Sequence, residues 1–168
     1  MMFNLFKKNK KRIVNGYVIK PGANLQDADL RGVNLFGANL QRAKLKGAKL
    51  QGANFKCADL EGANLIGANL FKANLQGANL RYANLFGAKL ESANLEDANL
   101  QGANLQGANL RYANLEGVNL KNADFKGTDL GYRDIYEAVL INASLQGIQL
   151  KFINLEGAKL QDADCGRR

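Results

Sequence analysis

Residues 98–117 read Ala-Asn-Leu-Gln-Gly, Ala-Asn-Leu-Gln-Gly, Ala-Asn-Leu-Arg-Tyr, Ala-Asn-Leu-Glu-Gly, four five-residue units in direct succession. With Leu as the centre of each unit, centres recur every five residues from 25 to 165 without an insertion, which makes 29 units. Leu fills 25 of them; Phe55, Phe125, Ile135 and Cys165 fill the others. Ala stands two places before the centre in 23 units, and Asn or Asp stands one place before it in 22. A five-residue period suits neither common element. On an α-helix each centre would be turned about 140° from the last, so no apolar face forms. On a long strand an odd period sends successive centres to opposite faces. The chain must instead bend in every unit, so that each Leu returns to the inside. Ala and Leu, two apart on a short extended piece, then both point inward, while the other three places hold mostly Asn, Gln, Lys, Glu, Arg and Gly and face water. Of 18 Gly, 14 stand two places after a centre, where a corner asks for a backbone conformation that Gly adopts freely. Asn and Asp tolerate turns and bond nearby backbone. No unit buries its Leu alone, so coils must stack and pair their backbones.

The A-[ND]-L-x-x units resemble the pentapeptide-repeat family over residues 23–165. The resemblance implies an all-β fold, a right-handed four-sided (quadrilateral) parallel β-helix with four units, hence 20 residues, per coil. The expected solenoid then has about seven coils and stands roughly 34 Å tall at ~4.8 Å per coil. The lead-in to the first repeat is similar to that of cyanobacterial members.

Around this body the chain divides into a basic N-terminal arm (1–12), a cap strand (13–22), the repeats (23–165) and a short tail (166–168). The net charge of +8 comes from the ends: Lys7, Lys8, Lys10, Lys11, Arg12 and Lys20 at one, Arg167 and Arg168 at the other. The remaining 15 basic residues balance 15 acidic ones, so the solenoid is neutral. The arm reads first as a solvated tail, with weak contact to an anionic membrane surface as the alternative. Direct nucleic-acid binding is not expected. Ile13, Tyr17, Val18 and Ile19 are expected to plug the first coil, as a stacked solenoid needs. The charge order of the N-terminus is the reverse of a secretory signal, and this points to the cytoplasm. Cys57 should face out, and Cys165 lies more than five coils away, roughly 26 Å at ~4.8 Å per coil, too far for a disulfide. After Cys165 no cap residues are visible, so the last coil is a candidate surface for homodimerisation.

With 20 residues per coil, surface columns can be read directly. One column runs Lys72, Ser92, Tyr112, Tyr132, Phe152, and its three aromatics make an exposed strip. A second sets Ile66 beside Phe86. The strip adjoins residues 128–153, where Thr128, Arg133, Ile148 and Ile153 replace the inward Ala and Val139, Ser144 and Gln149 replace Asn. Arg133 cannot stay buried unpaired, so local distortion is expected there, with a functional site as the second reading. Tyr112, Tyr132, Arg133, Tyr136 and Phe152 are thus the candidate contact with a protein partner. A third column holds Glu96, Glu116, Tyr136 and Glu156, with Asp97, Asp134 and Glu137 close by. Some pentapeptide-repeat proteins mimic DNA and bind type II topoisomerases, so the resemblance makes Glu96, Asp97, Glu116, Glu137 and Glu156 the candidate site of that alternative. The neutral body, with Lys72, Lys89, Arg111 and Lys151 on an adjacent face, departs from that pattern. Catalysis finds no support: the chain has no His, its two Cys are distant, and its Gly follow the repeat and form no phosphate loop. No metal or cofactor is expected. The reading is a non-catalytic, regulatory interaction scaffold.

Overall fold

The computed structural model describes residues 12–131, 137–148 and 155–164. It opens with β1 (Arg12–Val14) and β2 (Tyr17–Ile19), paired antiparallel with Ile13 opposite Val18. Asn15 and Gly16 between them both take positive φ, 49° and 80°, as a two-residue hairpin turn requires. The expected single cap strand is therefore a hairpin, and it starts inside the expected arm. Arg12 belongs to it: its guanidinium donates to the carbonyls of Phe36 at 3.1 Å and Asn34 at 2.9 Å, tying the hairpin across the first coil. Of the four expected plug residues, Ile19 is buried and Tyr17 packs against the core, but Ile13 points outward at 61% exposure. Its neighbour Val14 packs inward instead, because successive side chains on a strand take opposite faces.

From residue 23 onward, parallel bridges join each outward Asn position to the one 20 residues later, as in Asn24↔Lys44, Asn64↔Asn84 and Asn104↔Asp124. Four units therefore make one coil. The first wall carries Leu25, Leu45 and their successors, the second Leu30 and Leu50, the third Leu35 and Phe55, the fourth Leu40 and Leu60. The centres from Leu25 to Leu130 and the Ala beside them are buried in one continuous core. Each fully buried Leu contributes about 1.5–3 kcal/mol.

The unit Ala53–Cys57 shows how the backbone is satisfied. Ala53 N donates to Leu50 O at 3.0 Å and closes the turn. Asn54 N reaches back one coil to Val33 O, while Phe55 N and Cys57 N reach forward to Asn74 O and Gln76 O. One N–H remains, that of Lys56, and the side chain of Asn54 accepts it at 3.0 Å. Asn is in the repeat as this fifth acceptor. The corner residue two places after the centre has positive φ whatever its type: twelve residues other than Gly hold 53° to 60° there, Tyr82 and Tyr112 among them. That conformation costs a non-Gly residue about 1–2 kcal/mol.

Beyond 128 the described positions through Ile148 keep the register of the repeat. Thr128 takes the inward Ala place and stays buried by donating its hydroxyl to Leu105 O at 2.8 Å. Ile148 packs against the core, and Val139 and Ser144 keep their bridges to Asn119 and Asp124. These residues keep the register; Arg133, on which the expected distortion rests, lies outside the described residues, as do Gln149 and Ile153. No helix among the described residues is long and apolar enough to cross a membrane.

Candidate protein-binding surface

The corner between the second and third walls carries most of the expected contact column. Arg31, Gln51, Phe71, Glu91 and Arg111 follow one another up this corner, each beside a positive-φ partner: Gly32, Gly52, Lys72, Ser92 and Tyr112. Tyr112 is 53% exposed. The Arg111 guanidinium stands 5.8 Å from its ring centroid and 4.0 Å from the Asp129 carboxylate. Tyr112, and then the charge of Asp129, hold the Arg111 pKa above its ordinary value. One arrangement lower, the Lys72 ammonium lies 5.1 Å from the Phe71 ring centroid. Rings and cations are thus presented together on a stiff edge. Tyr132, Arg133, Tyr136 and Phe152, expected to continue this surface, lie outside the described residues.

Sequence reading followed one column at a time and missed Phe71 and the Arg111–Asp129 pair. Each corner exposes two adjacent columns, so the signal was in reading both together. Tyr82, with Arg81 at 5.3 Å from its ring, occupies another corner in the same way. Its ring lies on Gly102, where a Cβ would come within 2.6 Å of a ring carbon. Ile66 and Phe86 share the corner between the first and second walls, as their 20-residue spacing implies.

The acidic residues gather at the corner between the third and fourth walls. Glu96 accepts from Gln76 Nε2 at 3.0 Å and Asn114 Nδ2 at 3.4 Å, while Glu116, Glu137 and Glu156 are exposed above it. Asp97 holds positive φ and its carboxylate lies over Gly117. Lys56 stands in the same column, and Lys72 and Arg111 sit across the third wall. The acidity is therefore one edge of the solenoid and not its whole body.

A cavity of about 350 Å³ lies beside Thr128, lined by Arg111, Asp129, Leu130 and Ile148 among others, and its two charged groups face each other as the ion pair above. No group of three His, Cys, Asp or Glu able to hold a metal occurs among the described residues. Cys57 is exposed and unpaired; Cys165 lies outside the described residues.

The family model for pentapeptide repeats matches residues 22–52, 53–91, 98–131 and 134–165. Among solved structures, the chain is similar to HetL from Nostoc sp. strain PCC 7120, described as a pentapeptide repeat protein involved in heterocyst differentiation regulation. The two are 37% identical with a TM-score of 0.73, over 84% of this chain and 63% of HetL. The chain thus spans less than two thirds of HetL's length. It is also similar to Rfr23, a pentapeptide repeat protein from Cyanothece 51142, at 37% identity and a TM-score of 0.55, over 61% of this chain and 88% of Rfr23. No curated protein matches the chain.

Proposed function

The chain belongs to the pentapeptide-repeat family as a right-handed four-sided parallel β-helix, and on that premise we propose that it is a non-catalytic scaffold that binds a protein partner through an outer face. The observation that carries this reading is the corner holding Tyr112. A half-exposed ring, with a guanidinium beside it, stands on a backbone position that disfavours any side chain at all. A ring kept at such a cost on a rigid edge suits recognition, since Tyr and Arg dominate the energetics of protein interfaces. Tyr132, Arg133, Tyr136 and Phe152 extend the proposed contact. The similarity to HetL, described as involved in differentiation regulation, supports a regulatory role.

The test is affinity capture from a cell lysate with immobilised wild type, Tyr112→Ser and the Tyr132→Ser/Phe152→Ser double variant, read by mass spectrometry. A protein retained by wild type and lost by variants that keep their β-structure in circular dichroism supports the scaffold. A capture profile that the substitutions leave unchanged removes this face from the reading. The acidic corner favours a second reading, DNA mimicry toward a type II topoisomerase, although Lys56 and the cations across the third wall weaken it. Excess protein that leaves quinolone poisoning of gyrase unchanged would eliminate that reading. A second copy docking on the last described coil is supported by Leu160, a centre 39% exposed where the described centres up to Leu145 are buried. Sedimentation velocity of wild type against Leu160→Glu tests it, and a monomer in both would end it.

A further inference from the structure

Between Asn24 and Asp129 only three units lack Asn or Asp before the centre, and all three hold Lys: Lys44, Lys49 and Lys89. Every one of the 19 Asn or Asp in that span accepts a hydrogen bond from the backbone N–H two residues on. A Lys side chain has no acceptor, so these three units forgo the bond. Beyond Asp129 the exchanges are mixed, with Val139 and Lys159 on the fourth wall and Ser144 on the first, whereas inside the regular span the residue is Lys each time and two of the three stand on the second wall. A local rule broken without a structural return marks a functional position.

The neighbourhood points the same way. Lys46 lies in the corner between the first and second walls, with Ile66 and Phe86 in the coils above it. Lys72 and Phe71 hold the next corner. Lys46, Lys49, Lys72 and Lys89 are all exposed, and none has an ion-pair partner among the described residues. Phe86 is 50% exposed. The carboxylates around this surface have partners: Asp29 takes Arg31, Glu91 accepts from Asn109 Nδ2 at 3.4 Å, and Asp27, in the corner below Lys46, accepts from Gln26 Nε2 at 3.4 Å.

We propose that the second wall and its two corners, over the second to fourth coils, bind an acidic polypeptide segment in an extended, polyproline-like conformation. The inference rests on the scaffold reading and names the chemistry of a partner. Lys49 and Lys89 are bridged through Asn69 and so stand two coils apart, roughly 9.6 Å at ~4.8 Å per coil. Polyproline II turns once in three residues and rises ~3.1 Å per residue, so carboxylates three apart are spaced about 9.3 Å on one side. Both lysines are then met at once, and the intervening apolar side chains fall toward Phe71 and Phe86. A β-strand repeats a face every two residues, about 6.7 Å, and misses that spacing. Single-stranded nucleic acid suits the surface less well, because stacking needs open ring faces and the Phe71 ring already has the Lys72 ammonium beside it.

The probe is a fluorescein-labelled (Glu-Leu-Pro)4 peptide titrated with the full chain and followed by anisotropy, with a labelled dT12 oligonucleotide alongside. Wild type should bind the peptide more tightly than dT12 and lose affinity as salt rises. Lys49→Glu/Lys72→Glu/Lys89→Glu should weaken binding at least tenfold, while Lys121→Glu/Lys159→Glu, on other faces, should leave it within twofold. Lys49→Asn/Lys89→Asn should restore the two missing hydrogen bonds, so its thermal midpoint rises while its affinity falls. No peptide binding by wild type, equal binding by the triple variant, or tighter binding of dT12 each overturn the proposal. The scaffold reading fails separately, if lysate capture shows no dependence on Tyr112.

Discussion

The second and third walls rest on the same core and differ in their outward column. The third reads Asn34, Asn54, Asn74, Asn94, Asn114. The second reads Asp29, Lys49, Asn69, Lys89, Asn109, Asp129. In the third wall every Asn closes the last free N–H of its unit, and Asn54 also donates to Asn34 Oδ1 at 3.2 Å. That wall is what the fold asks for. The second wall gives up the same bond twice and gains two cations with no ion-pair partner among the described residues. The difference separates what the β-helix requires from what it merely carries, and only the second kind of position informs about function.

The comparison breaks first if the walls differ inside. Leu70→Ala on the second wall and Leu75→Ala on the third each remove a fully buried side chain and should each cost about 2–5 kcal/mol in denaturant unfolding. A second-wall loss well below that range would mean a softer wall, and its surface departures would then need no functional reason. Outside, the exchange should run in opposite directions. Asn74→Lys and Asn94→Lys on the third wall should each lose about 1 kcal/mol, and Lys49→Asn and Lys89→Asn should each regain a similar amount. Equal stabilities in both directions would show that water replaces the side-chain acceptor without loss.

The corner the two walls share gives a smaller effect. Tyr112→Gly relieves a φ of 60°, worth about 1–2 kcal/mol, but frees the unfolded chain by roughly 0.5–1 kcal/mol, so a net gain of well under 2 kcal/mol is expected. The same variant should lose whatever protein wild type captures through the ring. Stabilisation with unchanged capture would leave Tyr112 as an ordinary corner residue.

Much of this was legible in the sequence, for a physical reason. The five-residue period forces a bend in every unit, so the buried Ala and Leu and the outward Cys57 followed from register, while the 20-residue columns followed from the resemblance to the pentapeptide-repeat family. The hairpin was less visible, because Asn15-Gly16 had to be weighed as a turn rather than as part of one strand. The role of Asn before each centre was half seen: its taste for turns was plain, but the specific N–H it caps emerges only once the other four N–H groups are placed. Without that, Lys49 and Lys89 looked like ordinary surface lysines. Of the expected contact residues, Tyr112 stands where register put it, while Tyr132, Arg133, Tyr136 and Phe152 lie outside the described residues.

The finest probe of the second wall is Asp29, which is bridged to Lys49 in the coil above. Its carboxylate takes a two-pronged bond from Arg31, with Nε to Oδ1 at 2.8 Å, and this bond is the main cause of a pKa below the ordinary aspartate value; the charge of Lys49 adds the smallest share. A carboxylate whose folded pKa is depressed stabilises the fold above its unfolded value, about 3.9, and loses that contribution as pH falls through the folded pKa. Because the pair is exposed, the effect belongs in a titration and not in an unfolding curve. Followed by NMR, Arg31→Gln should raise the Asp29 pKa clearly, and Lys49→Asn should raise it slightly, by less than Arg31→Gln does. If Lys49→Asn moves it as far as Arg31→Gln, the lysine is already committed to Asp29 and is not free for an acidic partner. If it moves it little, the Lys49 charge faces outward, which is the state the second wall needs.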